Sequence, residues 1–316
     1  MKLKRVSSLI AIFLICFAIS NCGNKQEKKS NIKISDEQIK KTKGGSSKLE
    51  KWKILADIVF SDIDGTSAIV LPDGKIRCYF TENGYIGYSE SIDGNSFGEN
   101  CRTNIDFNNS QTGGEVPRNP AVLRLKSGRY MMLFNTGDAV GENVENGSND
   151  KLNLAYSDDG KNFELLGVVA DTTRDKNAVA SEVDSLILPD GSIRIYGSQK
   201  GICTAVSKDG GKTWIADGIE LIEEGASDPD VHIRDDGIYV MYYEITEENK
   251  SSIKMALSKD GLIWDLVDGY IVSDKDDVLS SPDYLSIREK KEILYFTQRK
   301  ESIDKVSSSV RIAIKQ

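Results

Sequence analysis

From residue 52 onward, hydrophobic and polar positions recur in a unit of about fifty residues. The first half of the unit is a turn between β-branched and aromatic runs. Leu71-Pro-Asp-Gly74 leads into Lys-Ile-Arg-Cys-Tyr-Phe80, and Leu125-Lys-Ser-Gly128 into Arg-Tyr-Met-Met-Leu-Phe134. Leu188-Pro-Asp-Gly191 leads into Ser-Ile-Arg-Ile-Tyr196, and Arg234-Asp-Asp-Gly237 into Ile-Tyr-Val-Met-Tyr-Tyr243. A weaker fifth copy runs from Ile287 to Phe296. Each copy predicts a β-hairpin.

A second element follows four of the hairpins: Ser91-Ile-Asp-Gly94-Asn-Ser-Phe97, Ser157-Asp-Asp-Gly160-Lys-Asn-Phe163, Ser207-Lys-Asp-Gly-Gly211-Lys-Thr-Trp214 and Ser258-Lys-Asp-Gly261-Leu-Ile-Trp264. Such spacing suits a turn in which Ser and Asp side chains accept backbone N–H groups, Gly takes a positive φ and the aromatic folds back over them. The four segments resemble the Asp-box (BNR) repeat of sialidases and related β-propellers, where it sits at the blade periphery and holds strands together.

Five inner strands are expected to begin near Asp64, Arg118, Glu182, Asp228 and Ser281. The fifth repeat lacks the Ser-Asp-Gly turn and stops at Arg311-Ile-Ala-Ile-Lys315, one strand short. Trp52-Lys-Ile-Leu-Ala-Asp-Ile-Val-Phe60 belongs to no unit and is predicted to supply that strand, leaving no open edge. The expected fold is therefore all-β, a five-bladed β-propeller over residues 52–316 closed by its N-terminal strand. A six-bladed sialidase-like ring with a degenerate blade is the alternative.

In such a ring the inner strands converge on the axis. Counting nine residues back from each hairpin Gly gives Gly65, Asn119, Glu182 and Asp228, and nine back from Lys290 gives Ser281. Two residues further on, hence on the same strand face, come Ser67, Ala121, Asp184, Asp230 and Asp283. Five carboxylates thus gather: Glu182, Asp184, Asp228, Asp230 and Asp283, with Asp62 and Asp64 just before the first-blade position.

Charge sharpens this picture. The chain has 316 residues and a formal net charge of -8. Residues 1–22 carry +3 and residues 23–51 carry +5, so the body from 52 onward carries -16. An acidic body repels polyanions, so nucleic acid is not an expected partner. The single histidine, His232, excludes a multi-histidine metal site. It follows Asp230 on one strand face, either as its hydrogen-bond partner or as the one titrating cation of the channel. Clustered Asp carboxylates would suit Ca²⁺, but no EF-hand-type loop accompanies them and no other cofactor is implied. Asn135 to Asp150, rich in Asn, Gly and Glu, is read as an insertion in blade 2 and a rim loop over the channel mouth.

The chain opens with Met1-Lys-Leu-Lys-Arg5, an apolar run from Val6 to Ser20, and Ile19-Ser-Asn-Cys22-Gly23. This resembles a bacterial lipoprotein signal peptide (1–22), with Cys22 as the lipidated residue; Asn21 departs from the usual Gly or Ala. The resemblance implies a palmitate-bearing, exported protein anchored to the membrane of the cell envelope. Residues 23–51 have too little apolar content to pack and are expected to form a disordered tether.

The segments Arg118-Asn119-Pro120 and Asp228-Pro229-Asp230-Val231, within the repeated hairpin pattern, resemble the five-bladed glycoside hydrolases that include arabinanases and β-fructosidases. Those families use an Asp of the first blade as nucleophile or base, an Asp of the second to tune it and a Glu of a later blade as acid. Carried over, Asp64 (or Asp62) is the first and Glu182 the acid, with Asp228 the further catalytic candidate; the second position is Asn119, which lacks the charge. Arg118, Asn119, Asp184, Asp230, His232 and Asp283 are the candidate substrate-binding residues. Arg118-Asn-Pro also resembles the Arg-x-Pro strand of sialidases, where Arg grips a sialate carboxylate. The expected ligand is a glycan or another small polar molecule. Three outcomes follow: a glycosidase, a non-catalytic propeller that binds carbohydrate or protein, or an exo-sialidase.

Overall fold

The structure, a computed structural model, describes residues 49–108, 112, 114–137, 150–199, 201–217, 222, 225–247, 250–274, 277–287, 291–301 and 306–316. The insertion predicted at 135–150 lies mostly outside these residues, as do the signal and nearly all of the tether. Strand β1 (Trp52–Ser61) precedes the first repeat. Blade 1 holds β2 (Asp64–Val70), β3 (Ile76–Glu82), β4 (Tyr85–Ser91) and β5 (Cys101–Asp106). Blade 2 holds β6 (Arg118–Arg124), β7 (Tyr130–Thr136), β8 (Lys151–Ser157) and β9 (Glu164–Asp171). Blade 3 holds β10 (Ser181–Ile187), β11 (Ile193–Ser198), β12 (Ile202–Ser207) and β13 (Ile215–Ala216). Blade 4 holds β14 (Ala226–Ile233), β15 (Tyr239–Glu247), β16 (Lys250–Ser258) and β17 (Trp264–Leu266). Blade 5 takes β18 (Val278–Ile287), β19 (Lys291–Glu301) and β20 (Val306–Lys315), and β1 pairs antiparallel with β20 as its fourth strand. The five-bladed propeller closed by its N-terminal strand is the fold; the six-bladed alternative is not.

Each sheet is covered on both faces by its neighbours, which explains the unbroken apolar runs of the second strands. In β7 every residue is buried, and in β3 the first five are. Five apolar clusters fill the five seams, such as Tyr79 and Ile86 against Val122, Met132 and Phe134 between blades 1 and 2. Outer strands have one free face and expose side chains such as Val168 and Ile215.

The four Ser-Asp-Gly turns form as their chemistry predicts. Gly94 and Gly160 donate N–H to Ser91 and Ser157 Oγ, each at 2.9 Å, and the Asp carboxylates accept further turn N–H groups. Each turn is also gripped by the preceding blade. Tyr79 donates its hydroxyl to Gly160 O at 2.8 Å, Tyr196 to Gly261 O at 2.9 Å and Tyr295 to Gly94 O at 2.7 Å; Tyr156 does the same for Gly210. Blade 5 has no such turn to offer blade 4. There Tyr242 donates instead to the Glu50 carboxylate, which also holds Lys315 at 2.8 Å. Leu49 and Trp52 pack into the seam between blades 4 and 5. Leu49 to Lys51, assigned to the tether by composition, thus belong to the packed body. No disulfide joins Cys78, Cys101 and Cys203.

Candidate functional site

Every inner strand carries a bulge near its start, with register shifts at Asp64/Thr66, Arg118/Ala121, Ser181/Asp184, Ser227/Asp230 and Ser280/Asp283. At each bulge one residue adopts the left-handed conformation: Gly65 (φ 56), Asn119 (φ 49), Glu182 (φ 47), Asp228 (φ 47) and Ser281 (φ 48). These are the five positions found by counting back from the hairpins. Four of them are not glycine, and such backbone is costly for an ordinary residue. A five-fold repeat of that cost argues that the bulge is part of the ring architecture; it re-aims the side chain toward the axis.

The bulges are held by side chains from the preceding blade. The N–H groups of Asn119, Glu182 and Asp228 donate to Thr81 Oγ1 at 2.9 Å, Asn135 Oδ1 at 3.1 Å and Ser198 Oγ at 3.0 Å. Thr81, Asn135, Ser198, Glu244 and Thr297 each lie seven residues after the hairpin turn position. That polar column recurs in the sequence with the period of the hairpins.

The five bulges and the two residues after each line one axial cavity of about 50 Å³. Asn119, Glu182, Asp184, Asp228, Asp230 and Asp283 all reach it; Asp64, Arg118 and His232 are not among its lining residues. The volume accommodates a small polar group of a ligand, since about 10 to 15 Å³ of such space holds a single water.

At the mouth, Glu182 meets Asp228, and their mutual repulsion with burial pushes the Glu182 carboxyl up to about 8. Asp228 is raised as well, first by burial and then by Glu244, which bonds to it. Asp228 Oδ2 also accepts from the Ser281 N–H at 3.3 Å and hydroxyl at 3.2 Å. Like carboxyls in contact share protons rather than ionise together, so this group can donate as well as accept hydrogen bonds at neutral pH. Glu244, unremarked in the sequence reading, is its third member.

Asp64 lies near enough to Asp228 to help raise it, but its own carboxylate is already occupied. Its carboxylate pairs with Arg299, accepts the Thr297 hydroxyl at 3.1 Å and accepts the Gly65 N–H at 3.0 Å. The first-blade place in the ring is held by Gly65, where a Cβ would lie 2.7 Å from Asn119 Oδ1. Arg118 is paired with Asp150, which also accepts the Ser181 hydroxyl.

Deeper in the channel, the second ring staples blade to blade. Asp184 Oδ2 accepts the Val231 N–H at 2.8 Å, Asp283 Oδ1 the Ala68 N–H at 3.2 Å, and Ser67 Oγ the Val122 N–H at 3.0 Å. Asp230 accepts from the Tyr284 backbone. Burial raises the Asp184, Asp230 and Asp283 carboxyls, that of Asp283 to about 6. Asp230 Oδ1 has no hydrogen-bond partner among the described residues, and the Thr66 hydroxyl lies beside the Asp283 carboxyl. No group of three or more acidic, His or Cys side chains among the described residues is arranged to hold a metal ion.

His232 stacks on Tyr284, with ring centroids 3.6 Å apart and planes 9° apart. Burial, reinforced by Lys315 and Arg234, pushes its imidazole down to about 3. It is neutral at physiological pH and sits in the seam between blades 4 and 5.

No family model matches the chain, and no curated protein matches it in sequence. Solved structures match its fold. A family 117 glycoside hydrolase from Zobellia galactanivorans superposes with a TM-score of 0.64 at 13% identity, over 84% of this chain and 90% of that one. An endo-arabinase from Bacteroides thetaiotaomicron superposes at 0.62 and 15% identity, over 84% and 97%. A xylan β-1,4-xylosidase from Bacillus halodurans gives 0.62 at 10% identity over 82% of this chain, which spans only 54% of that protein's length. Fold and site together define the class: a five-bladed β-propeller built like those of glycoside hydrolases, with a carboxyl cluster at the axial mouth. At these identities the likeness is one of fold.

Proposed function

We propose that this propeller binds a neutral glycan at its axial mouth without cleaving it, as a lipid-anchored protein of the bacterial envelope. One observation carries the non-catalytic reading. A glycosidase keeps its two carboxyls about 5 to 10 Å apart around the scissile bond, one protonated and one ionised. In this ring the first-blade place is Gly65, the second is the uncharged Asn119, the acid Glu182 contacts Asp228, and Asp64, the nearby first-blade carboxylate, is tied up in an ion pair with Arg299.

Binding suits the same geometry. Sugar hydroxyls both donate and accept, and so does the proton-sharing cluster of Glu182, Asp228 and Glu244. An anionic sugar would meet these carboxyls unfavourably, and Arg118, the residue a sialidase reading needs, is already paired with Asp150. The fold shared with an endo-arabinase and a xylosidase supports a saccharide as the ligand class. The anchor at Cys22 is supported by the basic start, the apolar run and the Ser-Asn-Cys-Gly sequence that ends it.

The test is a panel of neutral oligosaccharides and plant or algal polysaccharides, scored for binding by calorimetry and for released reducing ends. Binding without release, weakened at least tenfold by Asp228→Ala, is expected. Release of reducing sugar that Glu182→Gln abolishes would instead establish a hydrolase using Glu182 as acid.

A further inference from the structure

Each second strand sends one polar residue toward the next blade. Thr81, Asn135, Ser198, Glu244 and Thr297 each lie directly across the sheet from the residue just before their own blade's bulge, as Glu244 does from Ser227. Thr81, Asn135 and Ser198 each accept the bulge N–H of the following blade, those of Asn119, Glu182 and Asp228. Thr297 keeps the same place and donates its hydroxyl to Asp64 Oδ1, which takes the Gly65 N–H itself. Those residues are all neutral, and Glu244 alone in the column is acidic.

Glu244 also departs from the bonding rule. The bulge it would cap is that of blade 5, yet the Ser281 N–H goes to Asp228 Oδ2 at 3.3 Å. Glu244 meets Asp228 instead. Its Oε1 accepts the Thr246 hydroxyl at 3.2 Å, which fixes the side chain along β15, and its opposite residue on β16 is the apolar Ile253. The charged groups that face it are Asp228 on β14 and Arg299 on β19. Arg299 is itself paired with Asp64 of β2, and Glu182 of β10 bonds to Asp228 from the other side.

Capping a bulge needs only an acceptor, and a hydroxyl serves in the other blades. A carboxyl does something a hydroxyl does not, because two carboxyls in contact need a proton between them. The contacts of Asp228 with Glu182 and with Glu244 therefore hold two protons among three carboxyls at neutral pH. Burial, then Glu244, raises Asp228 to about 8. Glu182 and Asp228 line the axial cavity, whereas Glu244, partly buried, stands behind them. We infer that Glu244 is a positioning residue of the mouth: from the place of a bulge cap it shares a proton with Asp228, and so keeps the Glu182–Asp228 pair a hydrogen-bond donor toward the ligand. The inference rests on the saccharide-binding reading above. Two ionised carboxylates would only accept. With the shared proton the pair donates to a ligand oxygen, while the charge left on the cluster accepts from a ligand hydroxyl.

The test compares the parent with Glu244→Gln, which keeps the side-chain size, and Glu244→Thr, which copies the residue of blades 1 and 5. Isotope-labelled Asp and Glu carboxyls are titrated by NMR without ligand. Affinity for the neutral oligosaccharide that the parent binds, taken from the panel above, is measured by calorimetry from about pH 6 to about pH 10. Removing one carboxyl leaves the pair with a single proton to share, so its upper titration midpoint should fall by at least about one pH unit in both variants, a tenfold loss of proton affinity. The alkaline fall in saccharide affinity should move down by the same amount, each variant being compared with its own plateau at low pH. A residue that only packed would lower the plateau and leave the fall where it was, and that result overturns the proposal. So does a midpoint of the pair that stays in place in the folded variants. If the parent binds no saccharide of the panel, the binding reading falls, and the midpoint of the pair still decides whether Glu244 holds the proton.

Discussion

Asp283 offers a quantitative test of how the axial channel is held together. The residue is only 5% exposed, one oxygen accepts the Ala68 N–H across the seam between blades 5 and 1, and the Thr66 hydroxyl lies beside the carboxyl. Burial raises the carboxyl from 3.8 to about 6. A raised acid gives its full stabilisation below the unfolded value and loses it as pH rises toward the folded one. Integrating that linkage, ionisation of Asp283 costs about 1.5 kcal/mol at pH 5 and about 3 kcal/mol at pH 8, levelling off above. Asp283→Asn keeps an oxygen for Ala68 and removes the charge. Such a variant should therefore be more stable than the parent by those amounts. For a domain of this size 1 kcal/mol moves Tm by about 2 °C, so the gain is about 3 °C at pH 5 and about 6 °C at pH 8 by circular dichroism or calorimetry. If Asp283→Asn instead lowered Tm, and did so more at pH 8 than at pH 5, the negative charge would be serving a partner in the channel, and the reasoning from burial would fail.

Three further outcomes are expected. Tyr242→Phe, which cuts the bond to Glu50, should cost about 2 kcal/mol because a charged acceptor is left behind, against about 1 kcal/mol for Tyr196→Phe, whose partner is the Gly261 carbonyl; urea unfolding of both variants measures the difference. Gly65→Ala should cost at least about 1 to 2 kcal/mol, from the left-handed backbone and the approach to Asn119 Oδ1. Adding Asn119→Ala should recover the steric part, and a double-mutant cycle reads the coupling. Glycan affinity should fall as pH rises through about 8, where Glu182 loses its donor proton, and Glu182→Gln should bind with no such fall; an unchanged alkaline limb in that variant would place the titrating group elsewhere.

Much of this ring was legible because repetition makes position meaningful. Counting from each hairpin turn position, four Gly and Lys290, located Gly65, Asn119, Glu182, Asp228 and Ser281, and the structure gives all five one backbone conformation. The missing fourth strand of the last repeat pointed to Trp52–Phe60 in the same way. What periodicity could not supply was where a side chain turns. Asp64 stands one residue before the ring position, and its engagement by Arg299 and Thr297 depends on blade 5, more than two hundred residues away. His232 shares a strand face with Asp230, yet the stack on Tyr284 carries it into a seam. Leu49 and Glu50 read as tether because their neighbours are polar; their partners Tyr242 and Lys315 appear only once the ring is closed.

That closure also governs the order in which the molecule can be completed. The partners of β1 lie some 250 residues downstream in β20, and at about 5 to 20 residues per second their synthesis takes about 12 to 50 s. For that time β1 has no pairing partner among the described strands. It carries Ile54 and Ile58, exposed even in the finished ring, and so offers a sticky edge to any other nascent chain. Lys53 and Asp57, set among those isoleucines, are placed to keep the waiting strand from its neighbours. A chain truncated before β20 would keep that edge for good, and its fate would be aggregation rather than a smaller propeller.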